Sequence, residues 1–207
     1  MKHFPRLLSN PLSLDVPEEI ITPRLHLRIR RAGDGAQINA SVCESLTELR
    51  QWMPWAQDEP TPQKYEIWCR EVHVKFLLRE EFNFGIFLRD ASTHLGEIGI
   101  HHLNWNVPSG EIGYWLRTSQ NGNGYMTEAV EALTRFAFET LNLARLVIRA
   151  DERNTKSRRV AERSGYALES IAQWDERDAA GELRRTGVYI RFHPALLDTI
   201  ARENGIP

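Results

Sequence analysis

The stretch Ser119–Val130, SQNGNGYMTEAV, contains two successive Asn-Gly pairs. Such pairs commonly announce a β-hairpin, because Asn and Gly accept the positive φ angles of a tight turn. A hairpin needs a strand on each side. The preceding EIGYWL (111–116) reads as a strand, but the residues after the glycines do not alternate. Met126, Ala129, Val130, Leu133, Phe136 and Ala137 recur at helical spacing and form one face of a helix. The glycines therefore join a strand to a helix. A glycine-rich turn at a helix start exposes backbone N–H groups beside the positive end of the helix dipole, an anion site suited to phosphate. Glycine is needed there because side chains would hold a phosphate away from the backbone. A plain connector of turn-forming residues is the competing reading of the loop alone. Two familiar phosphate motifs are excluded: there is no Gly-Lys-Ser/Thr, and Gly122-x-Gly124 lacks the third glycine of the dinucleotide fingerprint.

Toward the N-terminus, RLHLRIRR (24–31) alternates at Leu25, Leu27 and Ile29 as a half-buried strand does. Asp34 is placed to cap a helix through INASVCESL, and QWMPWAQDEPTP (51–62) reads as a loop. Tyr65, Trp68, Val72 and Phe76 space a second helix over 63–80. Three strands come next, FNFGIFLR (82–89), LGEIGIHHLN (95–104) and EIGYWLR (111–117), then the helix at 126–140 and a strand ARLVIRA (144–150). The short helix SRRVAERS ends at Gly165, a natural left-handed residue past a helix C-terminus. ALESIAQWDE (167–176) and RTGVYIRF (185–192) read as strands around AAGE, and PALLDTIARE (194–203) as a final helix. This order gives a mixed α/β sheet with few βαβ units, which fits a regular doubly wound nucleotide fold poorly.

Composition bounds the function. The 207 residues are 42% hydrophobic and 26% charged, with a net charge of -2, as in an ordinary globular protein. The near-neutral charge argues against nucleic acid as a partner, and no apolar run is long enough to cross a membrane. No secretory signal pattern opens the chain, and Cys43 and Cys69 cannot make a disulfide framework, so a cytoplasmic location is expected. His101 and His102 are adjacent, so on a regular strand they face opposite sides and cannot share a metal. Arg149, Arg153, Lys156, Arg158, Arg159 and Arg163 form the densest positive cluster, read mainly as a solvated helix face.

GEIGYWLRTSQNGNGYMTEAV (110–130), followed by ADERNTKSRRVAERSGY (150–166), resembles the GNAT superfamily of N-acetyltransferases. The resemblance spans roughly residues 22–192 and is strongest to the RimJ/RimL type, whose members acetylate N-terminal amines of ribosomal proteins. It implies an α/β (α+β) fold, with a mixed, mostly antiparallel twisted sheet, flanking helices and a splayed central strand pair. Outside the resemblance, the proline-bearing, weakly periodic start of the chain is read as an N-terminal arm over 1–21 and the end as a C-terminal helical tail over 193–207, with a homodimer as one compatible assembly. Acetyl-CoA is the implied co-substrate, and no metal is implied.

By the same resemblance, the strand end at Trp115, Leu116 and Arg117 pairs its backbone with the pantetheine arm. Asn121, Gly122, Asn123, Gly124, Tyr125 and Met126 hold the pyrophosphate, although Ser119 departs from the first position of the general motif. Asn154 matches the asparagine that bonds pantetheine, Ser157 the serine that stabilises the leaving thiolate, and Glu176 a glutamate proposed as general base. Trp52 and Trp55 fall in a loop bordering the acceptor site. Glu111, on the strand beside the acetyl group, is a rival base.

The chemistry explains these residue types. An ammonium must lose a proton before attack, and a carboxylate accepts it. A backbone N–H serves the oxyanion, and a hydroxyl serves the departing sulfur. The acceptor is expected to be a protein N-terminal amine. A small amine (an antibiotic, polyamine or amino acid) and a non-catalytic CoA-binding module are the alternatives.

Overall fold

A computed structural model of the chain describes residues 10–89, 93–178 and 180–196. Strand β1 (Glu19–Ile21) pairs antiparallel with β2 (Leu25–Ile29), whose residues alternate buried and half-buried as the sequence requires. The N-terminal arm expected over 1–21 thus includes a strand at residues 19–21. Three residues are too few for a period of two to register in the sequence. The expected central strands form β3 (Phe82–Leu88), β4 (His94–Asn104), β5 (Ser109–Leu116) and β6 (Arg145–Asp151). The last two are β7 (Ala167–Arg177) and β8 (Leu183–Phe192). All eight lie in one sheet, ordered β1-β2-β3-β4-β5-β6-β8-β7. Every described pairing is antiparallel except β5 with β6. The helices are α1 (Gly35–Trp52), α2 (Pro62–Leu77), α3 (Tyr125–Glu139) and α4 (Thr155–Arg163). Most of the expected final helix lies outside the described residues.

Along β5, Ile112, Tyr114 and Leu116 share one face, and Glu111, Gly113 and Trp115 the other. The first face joins a core built from Phe82, Phe84 and Ile86 of β3 and Leu133 and Phe136 of α3. Trp115, on the second face, joins a smaller core with Ile38, Val42 and Leu49 of α1 and Tyr65 and Cys69 of α2. Helices therefore cover the sheet on both sides. Burial pushes the Cys69 thiol up to about 12, so this cysteine packs and does not react.

Two local expectations are corrected. Helix α1 begins after Asp34, but the Asp34 side chain makes no capping hydrogen bond to it. Its carboxylate instead accepts from Arg28 Nη1 at 2.7 Å and Nη2 at 2.8 Å, and from the Arg31 amide at 2.8 Å. A bidentate guanidinium is a stronger donor than a free helix N–H, so the arginine wins. Helix α1 also runs on to Trp52, so that residue is helical, and only Pro54–Gln57 form a short 3-10 turn after it. Thr61 caps α2 through the Lys64 amide at 3.2 Å, ahead of Pro62 in the first turn.

Burial alone would raise the Asp34 carboxyl; the Arg28 guanidinium and the Arg31 amide outweigh it and hold it below the usual range. Its stabilising contribution is thus complete above the unfolded-state value near 3.9 and is lost as pH falls through the lower folded value. Asp34→Asn should cost roughly 1–3 kcal/mol at neutral pH, because Arg28 loses its charged partner. Urea midpoints measured from pH 6 down to pH 2 should fall further for the natural chain than for Asp34→Asn; equal slopes would exclude this pair as a source of acid lability.

Candidate active site

The site begins where strand pairing stops. β5 and β6 pair in parallel only through Ser109↔Arg145, Gly110↔Leu146 and Glu111↔Val147. β5 stays paired with β4 as far as Leu116, and β6 stays paired with β8 as far as Asp151. Each strand is held by its outer neighbour while the inner pair diverges, leaving a wedge with its apex at Glu111. A cleft of about 870 Å³ opens from this wedge. Ile112 to Trp115 form one wall and Ile148 to Asp151 the other.

The floor of the cleft has a simple origin in sequence. β4 contains Gly96-Glu97-Ile98-Gly99, and β5 contains Gly110-Glu111-Ile112-Gly113. Antiparallel pairing sets Gly99 opposite Gly113, Glu97 opposite Trp115 and His101 opposite Glu111. All six line the cleft. The two facing glycines keep the middle of the floor low: a Cβ on Gly113 would meet His101 Nε2 at 2.7 Å. The far end of the cleft is aromatic, with Trp52, Trp55, Tyr65 and Trp68 contributed by α1, the turn after it and α2. Trp55 lies 6.2 Å from Trp115, ring centre to ring centre.

Of the residues expected from sequence, Trp52, Trp55, Glu111, Trp115, Asn154 and Ser157 converge on this cleft. Asn154 caps α4, accepting the Ser157 amide at 3.0 Å through Oδ1. Tyr114 on β5 reaches across to α4, its hydroxyl 3.1 Å from both Ser157 Oγ and the Ser157 carbonyl. Burial pushes the Tyr114 phenol up to about 12, so it stays protonated through the neutral range.

The loop from Asn121 to Met126 lies beyond this lining, at the start of α3. Gly122 takes φ +85° and Gly124 φ +76°, angles that L side chains rarely adopt. The glycines are thus favoured by backbone conformation and not by crowding from the surrounding protein. A Cβ on Gly122 would meet nothing within 4 Å, and one on Gly124 only Arg24 Nη2 at 3.5 Å. Met126 is buried in the core beneath, so only its backbone faces this loop's exterior. Tyr125 lies under the Arg24 guanidinium, and Asn123 accepts from Arg24 Nη1 through its carbonyl at 2.9 Å. Asn121 Nδ2 reaches Glu48 at 3.4 Å, and Arg117 is tied to Glu44 at 2.5 Å. Leu116 packs against the larger core.

Glu176 is not brought to the cleft wall. Its side chain is 46% exposed and paired with Arg184 and, at 3.5 Å, with Arg149. The cause is a register shift in β7 between Gln173 and Glu176, with Trp174 at φ +54°. A bulge of this kind re-aims every side chain after it. Of the cleft carboxylates, Glu97 and Asp151 have arginine partners, whereas Glu71 and Glu111 have no arginine or lysine partner among the described residues. The arginine-side partners of Asp151 and Glu97 are Arg153 and Arg30. The hydrogen bond from Arg153, against the opposing effect of burial, holds the Asp151 carboxyl below its ordinary range.

The buried pair of Arg30 and Glu97 has no counterpart among the sequence expectations. Arg30 is 2% exposed, with its guanidinium 3.8 Å above the Trp68 ring. Glu97 Oε1 lies 3.0 Å from His94 Nε2, and His94 Nδ1 lies 2.9 Å from Ser41 Oγ. The signal available was the tetrapeptide Gly-Glu-Ile-Gly in two neighbouring strands. Half of the positive cluster is paired with acidic residues within the fold: Arg149 with Asp175, Arg153 with Asp151 and with Asp178 at 2.9 Å, and Lys156 with Glu48 at 2.5 Å.

His101 and His102 correct a further expectation. The register of β4 breaks between His101 and Asn104, and His102 takes φ +50°. The adjacent rings therefore meet instead of facing apart, with centroids 4.6 Å from each other. Burial pushes the His101 imidazole below the ordinary histidine range.

Over residues 24–167 the sequence matches the acetyltransferase (GNAT) domain family. It is 30% identical over 136 residues to the ribosomal-protein-serine acetyltransferase of Escherichia coli (strain K12), covering 65% of this chain and 74% of that protein. It is 29% identical over 157 residues to YdaF of Bacillus subtilis (strain 168), covering 74% of this chain and 83% of that protein. The fold is shared with RimL, a ribosomal L7/L12 alpha-N-protein acetyltransferase solved in complex with coenzyme A. That match has a TM-score of 0.80 at 22% identity and covers 86% of this chain and 99% of the other. Strands β2 to β6 and all four helices fall inside the matched span, and the chain accordingly belongs to the GNAT acetyltransferase family, in its RimJ/RimL-type branch.

Proposed function

We propose that the chain moves the acetyl group of acetyl-CoA to a primary amine in the cytoplasm, specifically the α-amine of a protein N-terminus. The amine nitrogen bonds to the thioester carbonyl carbon, the carbon–sulfur bond breaks, and the nitrogen's proton passes to a carboxylate. The observation that carries this reading is the wedge itself. Glu111 stands at its apex, and the Tyr114 and Ser157 hydroxyls, from residues that also line the cleft, bridge β5 and α4. Beyond Glu111 and Val147, the facing edges of β5 and β6 carry no strand partner. Unpaired backbone groups of this kind suit an extended, amide-bearing chain such as pantetheine. The left-handed glycines and open space at Gly122 and Gly124 suit a pyrophosphate at the start of α3.

We assign the proton acceptor to Glu111, with Glu176 as the rival. Glu111 lines the cleft with no arginine or lysine to hold its lone pairs, whereas Glu176 is committed to two arginines. Ser157 is assigned as the hydroxyl that assists the leaving sulfur, and Asn154 as the residue that holds both α4 and the pantetheine arm. Trp52 and Trp55 border the acceptor. The protein acceptor is supported by the names of the relatives, which are ribosomal-protein acetyltransferases.

Thiol release from acetyl-CoA, measured against N-terminal peptides and a panel of small amines, should be strongest with the peptides. Preference for a small amine would replace the acceptor while leaving the chemistry intact. No transfer to any amine would reduce the chain to a CoA-binding module.

Glu111→Gln keeps size but removes basicity, so turnover should fall by about 10²-fold or more. Glu176→Gln should retain near-normal turnover. The reverse outcome returns the role to Glu176.

Ser157→Ala should lower turnover by about 10²-fold with a smaller change in the Michaelis constant, since its hydroxyl matters as charge develops. If only CoA affinity falls, Ser157 is a binding residue and not a donor to sulfur.

A further inference from the structure

His101 and His102 end the regular part of β4 at the cleft, and the bulge there gathers donors that a flat strand would separate. His101 Nδ1 lies 3.3 Å from His102 Nδ1, and His102 Nδ1 lies 3.4 Å from Glu111 Oε2. All three residues offer ligand atoms within 4.8 Å of one another. Hydrogen bonding alone does not account for this triangle. His102 Nδ1 carries at most one hydrogen, so it cannot give a full bond to both neighbours. A cation at the centre would satisfy all three donors together. Ligands about 2.0–2.1 Å from a tetrahedral ion stand roughly 3.3–3.4 Å apart, the spacing seen on two sides of the triangle. Two imidazoles and one carboxylate are donors that Zn²⁺ accepts while keeping a fourth position open. Imidazole nitrogen also disfavours Mg²⁺ and Ca²⁺, which take oxygen.

We propose that His101, His102 and Glu111 form a binding site for a divalent transition-metal ion of the zinc class, at the edge of the acetyl-transfer cleft. Its occupancy inhibits acetyl transfer, because the ion takes the Glu111 lone pair that accepts the amine's proton. The inhibitory consequence rests on the assignment of Glu111 as proton acceptor; the metal site itself does not.

The test uses the full chain, with Zn²⁺ by calorimetry and Co²⁺ by the intense visible absorption of a four-coordinate ion. The natural chain should take up one ion, and Zn²⁺ should suppress acetyl transfer until a chelator removes it. His102→Asn keeps a residue type that tolerates positive φ. It should weaken binding by about 100-fold or more, beyond what loss of a second-sphere partner usually costs, and transfer should then resist Zn²⁺. Glu111→Gln, read by binding alone, should weaken uptake similarly and guards against a folding defect in the histidine variant. Absence of uptake by the natural chain, or unchanged affinity in both variants, overturns the site. Uptake that depends on His102 but leaves transfer at full rate supports the site and overturns the role of Glu111.

Discussion

The fold turns on a single place where hydrogen bonding between neighbouring strands is given up. β5 and β6 form the one parallel pair among the described strands, and their pairing ends at Glu111 and Val147. Each strand remains fully engaged on its outer side, with β4 or β8, so the sheet survives the break. The right-handed twist of a sheet already rotates neighbouring strands, and two strands held from outside can part without either one unfolding. The single eight-stranded sheet is thereby opened at its middle, its two halves joined through three residue pairs. The cleft, its floor and its open backbone edges all derive from that break.

A cleft cut into a sheet between two cores needs rigid walls, and buried charge supplies some of them. Arg30, directly after β2, is fixed between Glu97 and the Trp68 ring; Glu97 is fixed by His94, and His94 by Ser41 of α1. The chain of contacts ties two strands to both helices above them. Breaking such a pair by removing one partner typically costs about 3–5 kcal/mol, because a charge is stranded without water. Replacing the whole network by apolar residues would remove that penalty, but it would also fill the floor beside Gly99 and Gly113. The network keeps the wall polar, and the glycines keep it shallow.

Much of the fold was legible in the sequence, because most elements carry a local signature. The alternation of Leu25, Leu27 and Ile29 marked β2, and the spacing of Met126 to Ala137 marked α3. Gly165 at φ +76° closed α4 as expected. The misses share one cause: they depend on partners distant in sequence. β1 exists only because β2 is beside it, and Asp34 turns from its helix because Arg28 is within reach. Arg30 and Glu97 look like solvent-facing charges in their own strands until pairing and helix cover enclose them. The bulges at His102 and Trp174 break the period of two, so the sides assigned to His101, His102 and Glu176 could not be read from spacing. The splay of β5 was expected only from resemblance, since no local pattern tells a strand where its neighbour lets go.

The two hydroxyls of Tyr114 and Ser157 are placed so that their shared proton has two possible directions. Asn154 fixes the Ser157 backbone by capping α4, so the serine side chain starts from a defined place. Tyr114 OH lies 3.1 Å from Ser157 Oγ, and either oxygen could donate across that distance. Burial raises the Tyr114 phenol to about 12, against the opposing effect of its bond to Ser157. The phenol is therefore a neutral donor at any pH where an amine substrate is used. With the phenol hydrogen directed to Ser157 Oγ, the serine keeps its own hydrogen for a group within the cleft. With the phenol directed to the Ser157 carbonyl, the serine hydrogen is drawn back to the phenol oxygen and turned from the cleft. Negative charge developing on a sulfur placed as the proposed mechanism requires would favour the first arrangement, because it would attract the serine hydrogen and strengthen the bond behind it. Under the role proposed for Ser157, the pair would respond to charge as it forms, which is when a leaving thiolate needs a donor.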